Sequence, residues 1–148
     1  MTTYMGICLA LFGAMTASAE EFSLQIGSPV AARTSHMKSA SFVFRTKGCA
    51  DPAKSDVSAT AEGLVHGERR SVRLKVAPAS TPGVYAIFRE WPAEGVWVVH
   101  LTGRCSESAA GAIVAIGPRG FIREQSKFFP RPATDAEIDN FLKSATSK

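Results

Sequence analysis

No stretch of this 148-residue chain is long and apolar enough to cross a bilayer as a helix. The clearest apolar run, Ile7 to Met15 (ICLALFGAM), is about half of the roughly 20 residues a span requires. Residues 1–19 contain no Asp, Glu, Lys or Arg. Cysteine is scarce, three in all, and neither Cys49 nor Cys105 has a second Cys or a His within a few residues, which excludes a local zinc knuckle. There is no Gly-x-Ser-x-Gly nucleophile elbow. Internal repeats are absent, and so is the βαβ alternation of a doubly wound nucleotide-binding sheet. With 45% hydrophobic and 20% charged residues, the composition excludes disordered and collagen-like classes.

The charge-free start is informative. Its apolar run ends in Ala17-Ser18-Ala19, the small residues a signal peptidase requires, and Glu20-Glu21 follow. Residues 1–19 therefore read as a secretory signal peptide, although the n-region carries no Lys or Arg; the other reading is a buried N-terminal helix. Cys8 stands too early for lipoprotein attachment. Cleavage after Ala19 removes no charge, so the net +4 from 17 Lys+Arg and 13 Asp+Glu is kept. It leaves Cys49 and Cys105 as an even pair in an oxidising compartment, where a disulfide is expected. The expected location is periplasmic or secreted, and the mature chain is not expected to be an integral membrane protein.

The mature chain is dominated by short alternating segments broken by Gly, Pro, Asp and Ser. Segments Phe22–Ile26, Ser39–Lys47, Asp56–Val65, Arg70–Val76, Val84–Trp91, Val96–Gly103, Gly111–Ile116 and Phe121–Lys127 read as strands, with His66-Gly67 and Gly117–Gly120 as turns. The period of two puts Trp97, Val99, Leu101, Val72, Leu74 and Val76 inward and His100, Arg73 and Lys75 outward. Gly111–Ile116 (GAIVAI) reads as a strand covered on both faces. About seven or eight such strands at this spacing predict an all-β, antiparallel β-sandwich over residues 20–129. Residues 130–148 read as a Pro-rich connection and an amphipathic helix. In it Thr134 and Glu137 form a capping box, and Ile138, Phe141 and Leu142 share one face.

Two features resemble immunoglobulin-like sandwiches. Cys49 ends an early strand and Cys105 a late one, a placement that suits a bridge between sheets. The second is Gly83-Val-Tyr85 followed by Gly95-Val-Trp97-Val-Val99. This Gly-x-Tyr … Gly-x-Trp-x-Val pattern resembles a strand pair of extracytoplasmic bacterial sandwiches of the YtkA-like and FixH-like type. The resemblance implies a fold and a compartment and carries no catalytic residue across. It departs from antibody domains in lacking a Trp shortly after the first Cys.

Chemistry-bearing residues are dispersed. His36, His66 and His100 stand on three segments, and Asp51, Asp56, Glu62, Glu68, Glu90 and Glu94 fall mostly in turns or on polar faces, so no catalytic constellation is expected. His36 and Met37, with His66 and His100, are residue types that would suit copper. No His-x-His or Met-x-Met spacing gives a local chelate, and no cofactor is expected. Arg69, Arg73 and Lys75 share one face of a strand, and Arg45 and Lys47 suit a neighbour. With a pI near 9.2, that face would meet an anionic surface or an acidic envelope partner. Its plainer reading is a solvated edge kept soluble by Lys and Arg. Nucleic acid is not an expected partner outside the cytoplasm. Trp97 is expected in the core and Trp91, before Pro92, partly exposed. The expected function is an exported, non-enzymatic binding or accessory module of the cell envelope; the alternative is a small periplasmic copper or ligand carrier.

Overall fold

The computed structural model describes residues 20–29 and 35–147; residues 1–19, read above as a leader, lie outside them. In chain order the elements are β1 (Ser23–Gly27), α1 (Ser35–Lys38), β2 (Phe42–Lys47), a 3₁₀ turn at Pro52–Lys54, β3 (Asp56–Val65), β4 (Glu68–Leu74), β5 (Val76–Pro78), β6 (Val84–Ile87), β7 (Val96–Cys105), β8 (Ser108–Gly117), β9 (Gly120–Phe129) and α2 (Asp135–Thr146). The strands form two antiparallel sheets, ordered β1-β2-β6-β5 and β4-β3-β7-β8-β9, that face one another as a β-sandwich.

The alternation seen in the sequence fixes what lies between the sheets. Phe42, Phe44 and Ile87 of one sheet meet Val99, Leu101 and Val114 of the other, all at 1% exposure or less. Trp97 and Leu74 join them, with Val72 and Val76 half-buried at the margin. β3 opens into β4 through His66-Gly67, and both take positive φ, 52° and 77°. That pair of left-handed residues is what a two-residue hairpin with strand-matched twist demands. Ser106-Glu107 is likewise the whole turn between β7 and β8, so β8 starts at Ser108 inside a stretch that reads as loop.

The segment Arg70–Val76, read as one strand, is two. β4 ends at Leu74 in the five-stranded sheet, and β5 begins at Val76 as the edge of the four-stranded one. The chain changes sheets at Lys75. Leu74 and Val76 still point into one core, because both sheets face it, so the period of two carries no trace of the crossing. Pro78 is tolerated in β5 because an edge strand has no neighbour on one side. Val84–Trp91 is also shorter than its alternation suggests, ending at Ile87.

Cys49, just after β2, and Cys105, at the end of β7, form a disulfide between the sheets with Cα atoms 5.8 Å apart. Both faces of β8 are covered. Ala112 and Val114 point into the sandwich, while Ile113 and Ala115 lie under Ile138, Phe141 and Leu142 of α2. The capping box starts α2: Glu137 N donates to Thr134 Oγ1 at 3.2 Å and Thr134 N to Glu137 Oε2 at 2.8 Å. On the outside of the other sheet, Met37 of α1 and Ala40 cover Ala86 and Val43.

Candidate functional site

A groove of about 650 Å³ runs along β1. Leu24 and Ile26 line it at the strand's edge, and Val43 and Val84 line it from the outer face of the same sheet. Phe128 and Arg123 of β9 close its other side. Phe128 is 48% exposed, the one large apolar side chain so exposed among the described residues. A second hollow of about 390 Å³ shares Leu24 and Phe128 with the groove and continues to Glu20, Glu21 and Pro130. The combined trough has a cationic end at Arg45 and Arg123 and an acidic end at Glu20 and Glu21.

A bulge in β9 brings Arg123 to the groove. The register against β8 passes from Ile113↔Lys127 to Ala115↔Ile122, so the β9 side carries extra residues. Ser126 fills the gap: its hydroxyl accepts from Ala115 N at 3.1 Å and donates to Ile122 O at 2.8 Å. The protruding Arg123 then donates from Nη2 to the carbonyl of Ile26 on β1. Arg45 donates from Nε to Gln25 Oε1 at 2.9 Å. Neither arginine has a carboxylate partner among the described residues.

A polar cluster lies on the outer face of the five-stranded sheet, beside and under α2. Glu62 of β3 accepts from Arg69 Nη2 at 3.0 Å and from Ser71 Oγ at 3.1 Å. Arg69 also pairs with Asp139, tying the sheet to the helix. His100 of β7 stands among Thr60 and Ile113 in the ladders, and its Nε2 is buried without a hydrogen-bond partner among the described residues. Burial lowers the pKa of this imidazole from its ordinary 6.5, while the carboxylates of Glu62 and Asp135 oppose the shift and Arg69 adds to it.

The expected basic face is therefore divided. Arg45 and Lys47 belong to the four-stranded sheet, not to a neighbour of β4, and Lys47 pairs with Glu20 at 2.9 Å. Arg69 is committed to Glu62 and Asp139. Arg73 and Lys75 are exposed. The four residues suited to copper are not brought together either. The His36 ring lies tilted against Phe88 with ring centres 5.0 Å apart, and Met37 is buried on the outside of the four-stranded sheet. His66 meets Glu94 at the β3–β4 turn, and His100 lies on the opposite outer face beneath α2. Among the described residues no group of three or more His, Cys, Asp or Glu is arranged to hold a metal.

Trp91, expected partly exposed, is 6% exposed and packs into the core. It borders a third cavity of about 700 Å³ with Trp97, Arg89 and Gln125, in which both indoles are almost wholly covered. Sequence reading passed over Arg123 and Phe128. Adjacent Phe128-Phe129 in a strand puts one phenyl on each face, and only a covering layer on both sides would bury both. Phe129 has that cover in the α2 cluster; Phe128 does not. No protein-family model matches the chain, nor does any curated protein or solved structure.

Proposed function

We propose that the chain is an exported, non-enzymatic binding module of the bacterial cell envelope, with its ligand site in the groove between β1 and β9. The observation that carries this reading is Phe128. It is a phenyl ring left open above an apolar trough in a protein that buries both tryptophans. A concave, mostly apolar cleft of this size with a few convergent polar groups is the usual form of a ligand site. The described residues lining the groove present guanidinium and amide groups beside apolar side chains, with carboxylates only at the far end of the adjoining hollow, a set suited to holding a ligand.

Export is supported by the charge-free apolar start ending in Ala17-Ser18-Ala19 and by the disulfide, which a reducing cytosol would not maintain. No helix among the described residues is long and apolar enough to cross a membrane. The immunoglobulin-like reading is supported by strand order. β1-β2-β6-β5 facing β4-β3-β7-β8 corresponds to A-B-E-D facing C′-C-F-G, with β9 as an addition and the Cys49–Cys105 bridge at the ends of the B-like and F-like strands. The YtkA-like and FixH-like resemblance is supported by its two glycines. Gly83 and Gly95 precede β6 and β7 with φ of +80° and +92°, where a side chain would meet Pro52 and Leu64 respectively.

The test is native mass spectrometry of the protein purified from its host's periplasm, beside a Phe128→Asp variant. The expected result is a chain beginning at Glu20 that carries a small-molecule adduct, with the adduct lost in the variant. An intact Met1, or equal spectra for the two proteins, would count against the reading.

A further inference from the structure

We infer that the β1–β9 groove takes an amphiphilic anion: one unbranched apolar chain bearing a single carboxylate head, free in solution. This rests on the reading of the groove as the ligand site and adds the chemistry of the ligand.

The cationic end supplies the first argument. Among the described residues Arg45 spends only its Nε, on Gln25, and neither terminal nitrogen of its planar fork has a partner there. Arg123 spends Nη2 on the Ile26 carbonyl and retains its other donors. Two guanidiniums border one groove whose described lining residues at that end include no carboxylate. A carboxylate head would fill that position with charge-assisted bonds, the pairing for which the arginine fork is shaped.

The trough itself supplies the second. From the arginines it runs past Leu24, Ile26 and Phe128 toward Phe22 and Pro130, a largely apolar track that takes in two adjoining hollows of about 650 and 390 Å³. At its far end stand Glu20 and Glu21. Glu20 is spent on Lys47, and Glu21, without an ion pair among the described residues, disfavours a second anionic group there, so the head lies at the arginines and the tail toward the N-terminal end of β1. Glu21 would also face an anionic bilayer if the trough were pressed against one, which favours a free amphiphile over a membrane surface.

The third argument excludes a peptide strand. Adding a strand to an open sheet edge requires unoccupied backbone groups in regular sequence. On β1 the Ile26 carbonyl is already taken by Arg123. On β9 the Ile122–Ser126 bulge breaks the ladder, with Ser126 filling it from its side chain. Both edges flanking the trough are protected in the ways that edge strands commonly are.

The experiment is calorimetric titration of the exported protein with three amphiphiles of one chain length, each below its aggregation concentration: decanoate, decanol and decyltrimethylammonium. Decanoate is expected to bind about tenfold or more tightly than decanol, and the cation more weakly still. Arg45→Gln and Arg123→Gln should each bring the affinity for decanoate down toward that for decanol. The Arg45 side chain bonds only the Gln25 side chain among the described residues, so its variant leaves the Ile26 backbone contact of β1 in place even if Arg123→Gln unsettles that strand. Phe128→Asp should abolish binding of both. Equal affinity for decanoate and decanol, with both lost in Phe128→Asp, would overturn the anion while leaving the groove as a site. Binding of no amphiphile, or binding unaffected by Phe128→Asp, would overturn both. A vesicle arm separates the sources: sedimentation with phosphatidylglycerol vesicles should leave the protein in the supernatant, and co-sedimentation lost in Arg45→Gln would assign the site to membrane lipid instead.

Discussion

Trp97 packs directly on the bare α-carbon of Gly63, its partner across the β3–β7 ladder. A Cβ built on Gly63 would stand 2.6 Å from the indole ring, and the indole Nε1 donates to Glu94 O at 2.7 Å, so the ring is held from two sides. Gly63→Ala should therefore cost about 1–3 kcal/mol by overpacking. Urea denaturation of the two proteins measures this; an unchanged midpoint would mean the ring has room to move.

The half-buried imidazole of His100, with its Nε2 enclosed, makes stability depend on pH. Because the folded-state pKa of His100 is below 6.5, the unfolded chain binds the proton more readily. The neutral ring's contribution is fully present above pH 6.5 and declines as pH falls from there toward the lowered folded value. The groups facing it are Glu62 from β3, Arg69 from β4 and Asp135 from α2. The wild type should lose more stability than His100→Gln between about pH 7 and pH 5, measured as denaturation midpoints. Parallel midpoints across that range would show that the site accommodates the charge.

Arg69 and Arg73 stand four residues apart on β4 and should behave differently. Arg69→Ala leaves Glu62, whose side chain is 12% exposed, without its charged partner and unties Asp139 of α2, so a loss of about 1–3 kcal/mol is expected. Arg73→Ala should cost under roughly 0.5 kcal/mol. Leu74→Ala, which empties a buried position, should cost about 2–5 kcal/mol. Similar losses for the two arginines, read from chemical denaturation, would give Arg73 a structural partner that the described contacts do not contain.

Cys49 and Cys105 are 56 residues apart, and closing a loop of that size stabilises by about 4 kcal/mol in the chain-entropy model. A Cys49→Ser, Cys105→Ser double variant should melt well below the oxidised wild type and match the reduced protein. Equal melting temperatures with and without reductant would show that the two sheets need no covalent tie.

The elements legible in the sequence are those whose signal is local. β3 spans the Asp56–Val65 its alternation marks, and the capping box at Thr134 and Glu137 starts α2 as read. The run GAIVAI lies in a strand covered on both faces because it has no polar side to expose. What was not legible depends on partners far along the chain. Nothing at Lys75 shows that the strand changes sheets, since both sheets share a core. His100 reads as an outward residue, and it is half-buried on the outer face; the helix that brings Asp135 near it begins more than 30 residues later. Arg123 reads as one more polar residue of the strand Phe121–Lys127. Its place in the groove comes from a bulge defined by the register against β8, which no pattern within β9 encodes.

The most direct test of the groove as the ligand site is an amide chemical-shift map of the protein, residues 20–148, titrated with decanoate. Saturable shifts should concentrate at Leu24, Ile26, Arg45, Arg123 and Phe128, with Ile138 and Leu142 under the opposite face unmoved. Shifts centred on Trp91 and Arg89, or no saturable shifts at all, would contradict the account.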